Sequence, residues 1–296
     1  MRLGLAVLLC VLSTGCAIVR DDQNEPVDNG PKREKAEPVQ KPSEVLKPKV
    51  HDWASPITDH FYVRGTYFHA AVSTVFRLDP TATSPGTVLN GEDDLGLDSP
   101  VDQGRMEFNI RMREKNNVRI DYFKLDRFKE QPLPRDIIFG DFVFPAGTNF
   151  RSSLDYRQLG ITYTYSFLKT DRFEAGFGLG LHILEAHAEG GEPGTLNHEK
   201  SDNVGIFPTI ALNGAWRISK RWAFTMRGQQ FSASPENFEG KLADYHADVQ
   251  YRLRGNLAFG LGYSKLQTHV LVTDDKNPGL FDLDTAGPEF FVRASF

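Results

Sequence analysis

The chain has 296 residues, with 34 Lys and Arg against 39 Asp and Glu and a formal net charge of −5. That balance offers no basic field for nucleic acid, and the mean hydropathy of −0.38 is that of a largely polar chain. Past the N-terminus no apolar run approaches the ~20 residues that a membrane helix needs, so a membrane-crossing chain of this composition would cross as strands, half of whose residues can face a polar lumen. The two cysteines are Cys10 and Cys16, which leaves the remainder without an internal disulfide, a cysteine metal site or a cysteine nucleophile.

Met1 and Arg2 give a positive start and Leu3 to Leu12 an apolar stretch, so residues 1–15 read as a secretory signal peptide. The ending Leu12-Ser13-Thr14-Gly15-Cys16 resembles the lipobox of bacterial lipoproteins in its permissive form, with Ser13 where Leu is usual. The resemblance implies cleavage before Cys16 and acylation of its sulfur; ordinary signal cleavage nearby is the alternative. Ala17 in place of Asp after the cysteine implies, by the same likeness, sorting to the outer membrane. Residues 16–56 carry Pro26, Pro31, Pro38, Pro42 and Pro48 among charged residues with few large apolar ones. Such a segment cannot bury enough surface to offset its ordering entropy. It reads as a disordered, semi-extended linker, either a tether on the periplasmic side or a segment that touches the cell wall or a periplasmic partner.

Strand signals fill residues 57–296. The first strand, about His60 to Asp79, has a blurred alternation at Phe68-His69-Ala70-Ala71-Val72. The second is clear: Met106, Phe108, Ile110 and Met112 share one face, and Arg105, Glu107, Asn109, Arg111 and Arg113 the other. After Lys115-Asn116-Asn117, Val118, Ile120 and Tyr122 oppose Arg119 and Asp121. The fourth strand, about Phe150 to Phe167, presents Leu159, Ile161, Tyr163 and Tyr165. The fifth presents Phe173 through Ile183, with Glu174, Gly176, Gly178, Gly180 and His182 inside. The sixth shows Ile210, Leu212 and Trp216, and the seventh Trp222, Phe224 and Met226 opposite Thr225 and Arg227. In the eighth, Tyr245, Ala247, Val249 and Tyr251 oppose Asp244, His246, Asp248, Gln250 and Arg252. Leu257, Phe259, Leu261 and Tyr263 mark the ninth.

The last stretch, Glu289-Phe290-Phe291-Val292-Arg293-Ala294-Ser295-Phe296, alternates with period two and ends on an aromatic. It resembles the closing strand of Gram-negative outer-membrane barrels, which ends on an aromatic, usually Phe. The resemblance covers this strand directly. It implies an all-β, transmembrane, antiparallel up-and-down β-barrel in the cell outer membrane, in contact with outer-membrane lipids and lipopolysaccharide and inserted by the barrel-assembly machinery. Short turns near 114–117, 169–172, 219–221 and 254–256 alternate with long polar stretches near 80–103, 129–148, 190–204, 234–241 and 273–286. That alternation gives about ten strands with a periplasmic N-terminus, or eight if a segment is misread.

An interior of this size is only wide enough for side chains. The inward set Arg105, Glu107, Arg111, Arg113, Arg119, Asp121, Glu174, Arg227, Asp244, His246, Asp248, Arg252, Glu289 and Arg293, together with His182, is therefore expected to form a paired charge plug rather than a pore. Asp244-x-His246 is the one catalytic-looking pair; two residues apart on a strand, both reach the lumen, and such a pair can activate water. It resembles the Asp-x-His of the omptin proteases, with Asp93 and Asp94 as stand-ins for that family's acidic partner at a different spacing. Lipid A deacylases supply a second hydrolase comparison through Ser264 to His269 and Phe231 to Ser234, without a matching motif. The acidic loop Asn90 to Asp98 lacks EF-hand spacing and reads as a solvated loop, with a divalent ion held near lipopolysaccharide phosphates as the alternative. The apolar stretch Asp136 to Pro145 reads as a hairpin extending the wall, or as a surface for an apolar ligand or a partner. No metal or cofactor is implied. The reading is a barrel with a structural or surface-interaction role; a narrow small-solute channel and an outer-membrane hydrolase are the alternatives.

Overall fold

The protein is described by a computed structural model that covers residues 56–81, 83–274 and 278–296. The expected signal peptide, Cys16 and nearly all of the linker lie outside the described residues. Among those residues ten long strands form one wall: β1 Phe61–Leu78, β2 Val101–Arg113, β3 Asn116–Pro132, β4 Asn149–Lys169, β5 Phe173–Gly191, β6 His198–Arg217, β7 Trp222–Ala233, β8 Phe238–Arg254, β9 Leu257–Val272 and β10 Gly279–Ser295. Each pairs antiparallel with the next, and β10 returns to β1. That closing ladder runs from Tyr62 opposite Ser295 to Leu78 opposite Gly279. At its end the Phe61 and Phe296 backbones exchange hydrogen bonds of 3.1 and 2.8 Å, and their rings stand 6.0 Å apart. The expected ten-strand barrel is therefore closed between its first and last strands, which removes the two free edges of an open sheet.

The outward face of the end with short turns is apolar. Phe177, Leu179, Leu181, Leu212, Phe259, Leu261 and Val292 are all exposed, which in water would be a severe liability and in lipid is the requirement. On β5 this band runs from Phe173 to Ile183. At ~3.3 Å per residue and a tilt of about 40° it is roughly 25 Å tall, the height of an outer-membrane apolar belt. Trp216 and Trp222 flank a short turn and are half-exposed, as interface aromatics are.

Toward the long-loop end the pattern reverses without a change of register. On β5, Glu174, Gly178 and His182 point inward beneath an apolar exterior; then Leu184, Ala186 and Ala188 line the inside while Glu185, His187 and Glu189 take the outside. On β3, Arg119 and Asp121 are inside, followed by Phe123 and Leu125, with Lys124 and Asp126 outside. The reversal explains the blur in β1. Arg64 and Thr66 face inward, and so do Phe68, Ala70 and Val72, because the chain leaves the lipid partway along the strand. Phe68, Phe123, Tyr156, Leu184, Phe207 and Leu283 meet in one apolar cluster inside the long-loop half of the barrel. A wall between lipid and a plugged lumen needs apolar-out; a wall between water and a sealed interior needs apolar-in.

A lid covers this chamber. The short pair Ile137–Phe139 and Phe142–Phe144 forms its own two-stranded sheet. It does not extend the wall, as its apolar composition suggested. It folds over the mouth, where Ile137, Phe139 and Phe144 are buried with Leu89, Leu95, Leu97 and Leu133. Their burial removes apolar surface that water would otherwise penalise at ~25 cal/mol per Å².

The reversal makes a direct prediction about charge tolerance. Leu179→Arg should destabilise the barrel by about 2–4 kcal/mol, read by reversible denaturant unfolding in lipid vesicles, whereas Glu185→Arg, above the band, should change stability by less than ~1 kcal/mol. Equal costs would mean that the lipid boundary does not lie between these two positions.

Candidate functional site

The lumen at membrane level holds seven arginines, Arg64, Arg105, Arg111, Arg119, Arg227, Arg252 and Arg293, among seven carboxylates, Asp59, Glu107, Asp121, Glu174, Asp244, Asp248 and Glu289, nearly all of them buried. Arg64 is the hub. It donates to Asp248 at 2.9 Å and to Glu289 at 2.5 Å, and its guanidinium lies 3.6 Å from the centre of the Phe291 ring. Arg111 makes a bidentate pair with Glu174, both bonds 2.8 Å. At the short-turn end Asp59 accepts from Arg252 and Arg293 at 2.7 Å and from the Ser295 hydroxyl at 2.8 Å. Arg227 pairs with Glu107, which also accepts from the Tyr62 hydroxyl. Arginine suits this role because its planar fork meets two acceptors at once and stacks on rings.

The network fills its space. The void bounded by Tyr62, Arg64, Arg119 and Asn213 measures ≈ 80 Å³, room for a handful of ordered waters rather than for a continuous aqueous column. Above it a second polar tier crosses the lumen. Gln229 Oε1 accepts from Thr162 at 3.0 Å and Thr209 at 3.1 Å and meets His182 Nε2 at 2.9 Å. Gln158 bonds His182 Nδ1 at 3.1 Å and accepts from the Tyr156 hydroxyl at 3.0 Å. Tyr156 then opens the apolar chamber.

The structure brings the inward residues expected from sequence together, with one exception. Arg113 is exposed, because the β2–β3 register shifts between Arg111 and Arg113 and the strand ends there, releasing the side chain from the lumen. Three important members were not legible. Tyr62 and Arg64 sit in the blurred strand, and Asp59 precedes it. The usable signal was parity: Arg64 and Phe68 are four residues apart and share a face.

Asp244 and His246 are adjacent and deeply buried. His246 Nε2 meets Asp244 at 2.9 Å and also Arg105, while Nδ1 faces Glu289 at 3.3 Å. With both ring nitrogens engaged, the imidazole presents no free position to a substrate. Asp94 sits in the lid, bound by Arg135 at 2.8 Å, so the apolar chamber lies between it and the pair. Ser264 and His269, five residues apart, fall on opposite faces. Ser264 is buried inside, and His269 pairs with Asp282 on the outer wall. Among the described residues no group of three or more His, Cys, Asp or Glu is placed to hold a metal ion. The acidic loop is built into the lid: Glu92 accepts from the Thr74 backbone at 2.9 Å and pairs with Arg127 at 2.6 Å.

No family model matches this sequence, and no curated protein matches it. Solved structures with a similar course of chain are outer-membrane barrels. They include the outer membrane protease OmpT from Escherichia coli (TM-score 0.47, 8% identity, 82% of this chain and 98% of that one). A Pseudomonas aeruginosa FadL homologue (0.38, 7%, 80% and 90%) and Neisserial surface protein A (0.33, 13%, 80% and 97%) are also similar. These are distant likenesses of fold among proteins of different roles; the barrel assignment here rests on the closed ladder itself.

Two outcomes follow. Arg64→Leu leaves Asp248 and Glu289 buried without their shared partner and should cost about 3–5 kcal/mol of stability, measured by unfolding in vesicles; a cost below ~1 kcal/mol would show that the hub is not needed. In the lid, the Arg135 guanidinium bonded to Asp94 holds that carboxyl below the usual carboxylate range. A depressed folded pKa contributes stability that is present above the unfolded value and lost as pH falls through the folded one. Amide protection in residues 89–98, taken relative to the intrinsic exchange rate at each pH, should therefore fall only on acidification below about pH 4. In Arg135→Gln it should already be low at neutral pH. Parent-like exchange in that variant would contradict the assignment.

Proposed function

We propose that the protein is a non-conducting outer-membrane barrel that anchors a rigid, lidded outer half at the cell surface and works through that half, in surface interaction. The single observation that carries this reading is the interior: a matched set of arginines and carboxylates fills the lumen at membrane level, and an apolar chamber stands above it. A solute channel would need a continuous polar path, and both layers oppose one. The short-turn end then faces the periplasm, with the N-terminal linker on that side, and the lid faces out. On this reading the paired Asp244 and His246 serve the plug rather than hydrolysis.

Single-channel recording of the refolded protein in a planar bilayer tests it. The expected record shows no steps above background between pH 5 and 8, and Arg64→Ala opens discrete steps by removing the hub. Reproducible steps from the parent protein would overturn the reading and make the charges the lining of a path.

A further inference from the structure

The wall is not paired along its full height. β6 is paired with β5 from Phe173–Trp216 to Gly191–His198. Its ladder with β7 runs only from Arg217–Ala223 to Ile210–Gln230. Above that point β7 ends at Ala233 while β6 continues to His198. The direction of the unpaired groups can be read. Arg217 N donates to Arg172 O on the β5 side. Antiparallel alternation then turns the odd-numbered residues of β6 toward β5 and the even-numbered ones toward β7. Pro208 is even-numbered: the residue without an N–H stands where β7 pairing has just stopped, as a proline on a sheet edge does.

The gap begins at lipid depth. Pro208 and Ile206 lie opposite Leu181 and Ile183, the top of the apolar band. Ile206 and Val204 are themselves exposed, at 64% and 69%. Unpaired backbone at membrane depth is tolerated where it lines a cavity, and a cavity lies behind it. It measures ≈ 160 Å³ and draws its lining from β1, β4, β5, β6, β8, β9, β10 and the lid, but not from β7. Six aromatic rings converge on it: Phe76, Phe139, Tyr156, Phe207, Phe238 and Phe281. Tyr156 and Phe281 are stacked at 6.1 Å. Phe207 stands in the gap, 5.4 Å from Phe231 on β7 and 6.4 Å from Phe238 on β8. Gly240 makes room for both rings, since a side-chain carbon there would come within 2.6 Å of Phe238 and 3.1 Å of Phe207. The Tyr156 hydroxyl and Thr268 already bond each other at 3.0 Å, so these polar groups of the lining are spent.

We propose that this chamber is a binding site for a small apolar molecule the size of a single aromatic ring, admitted from the membrane leaflet at the long-loop end through the gap between β6 and β7, with Phe207 as its gate. Size selects the ligand: an apolar cavity of about 150 Å³ in another protein stays dry and accepts benzene. The lining selects its shape, because rings offer both edge and face contacts to a flat guest. The charge plug closes the floor and the lid the roof, which leaves the lateral gap as the way in. The site goes beyond the non-conducting reading and does not depend on it, since a conducting lumen would leave the chamber's lining as it is; the lateral route, which needs a closed floor, rests on that reading.

The test is fluorine NMR of 4-fluorotoluene with the full-length protein refolded in lipid nanodiscs, against empty nanodiscs. A saturable bound signal is expected from the parent. Affinity should fall at least tenfold in Ala186→Trp and in Ala188→Phe, which fill the chamber, in samples that keep the heat-dependent gel migration of a folded barrel. Phe207→Ala should exchange the probe several-fold faster. No saturable signal from the parent, or parent-like affinity in both filled variants, would overturn the site; an unchanged exchange rate in Phe207→Ala would overturn the lateral route. Native mass spectrometry showing a phospholipid held by the parent and lost from both filled variants would replace the single-ring guest by an acyl chain and overturn the proposal as stated.

Discussion

In hydrocarbon, every backbone N–H and C=O must find its partner within the protein. The ladder that joins β1 to β10 meets that demand by removing the two edges a ten-strand sheet would otherwise present. Much else follows from it. Closure at this strand number leaves a lumen only as wide as its own side chains. Those side chains must then find partners in one another, and Arg64, Arg111 and Arg252 do so on carboxylates. The partial failure of pairing between β6 and β7 stands out against that constraint. It lies where the wall leaves the lipid, beside a proline that cannot donate and behind residues that line a cavity.

Each strand serves two solvents in turn. Within the lipid band the outside is apolar and the inside charged; past residues such as Ile183 and Tyr122 the outside is charged and the inside apolar. Strand periodicity carries both arrangements without a bulge, because the pattern of side-chain types shifts by one residue while the backbone register holds. The long-loop half thus has the logic of a water-soluble barrel with its own core, built on top of a transmembrane one. The acidic loop and the apolar hairpin, which look like free surface when considered alone, become the cover of that core through Glu92, Asp94 and the buried Leu95 and Leu97.

Where one solvent rule held along a whole segment, the sequence was readable. Met106 to Met112, Leu159 to Tyr165 and Phe290 to Phe296 alternate cleanly and fall as expected. Where the rule changed within a strand, it was not. In β1 the polar Arg64 and Thr66 and the apolar Phe68 and Ala70 share the inner face, so no single alternation fits, and the hub arginine was missed with them. Arg113 was assigned inward by parity alone, which a register shift at the strand end defeats. Asp244 and His246 were visible as a pair, but their saturation by Arg105 and Glu289, distant in sequence, needed the folded barrel. The gap beside β6 has one local mark, Pro208, whose meaning depends on which neighbour its nitrogen faces.

The central claim is that the wall crosses from lipid to water partway along each strand, at a height set by the reversal of its side chains. A spin-label scan along β5 tests it most directly: single cysteines at successive positions from Phe177 to Glu189, in protein with Cys10 and Cys16 replaced, read for oxygen and for water-soluble nickel accessibility in vesicles. Expected is oxygen access with period two through Ile183, giving way to nickel access at positions 185, 187 and 189. Oxygen access that continues past position 185, or no alternation at all, would contradict the two-solvent barrel.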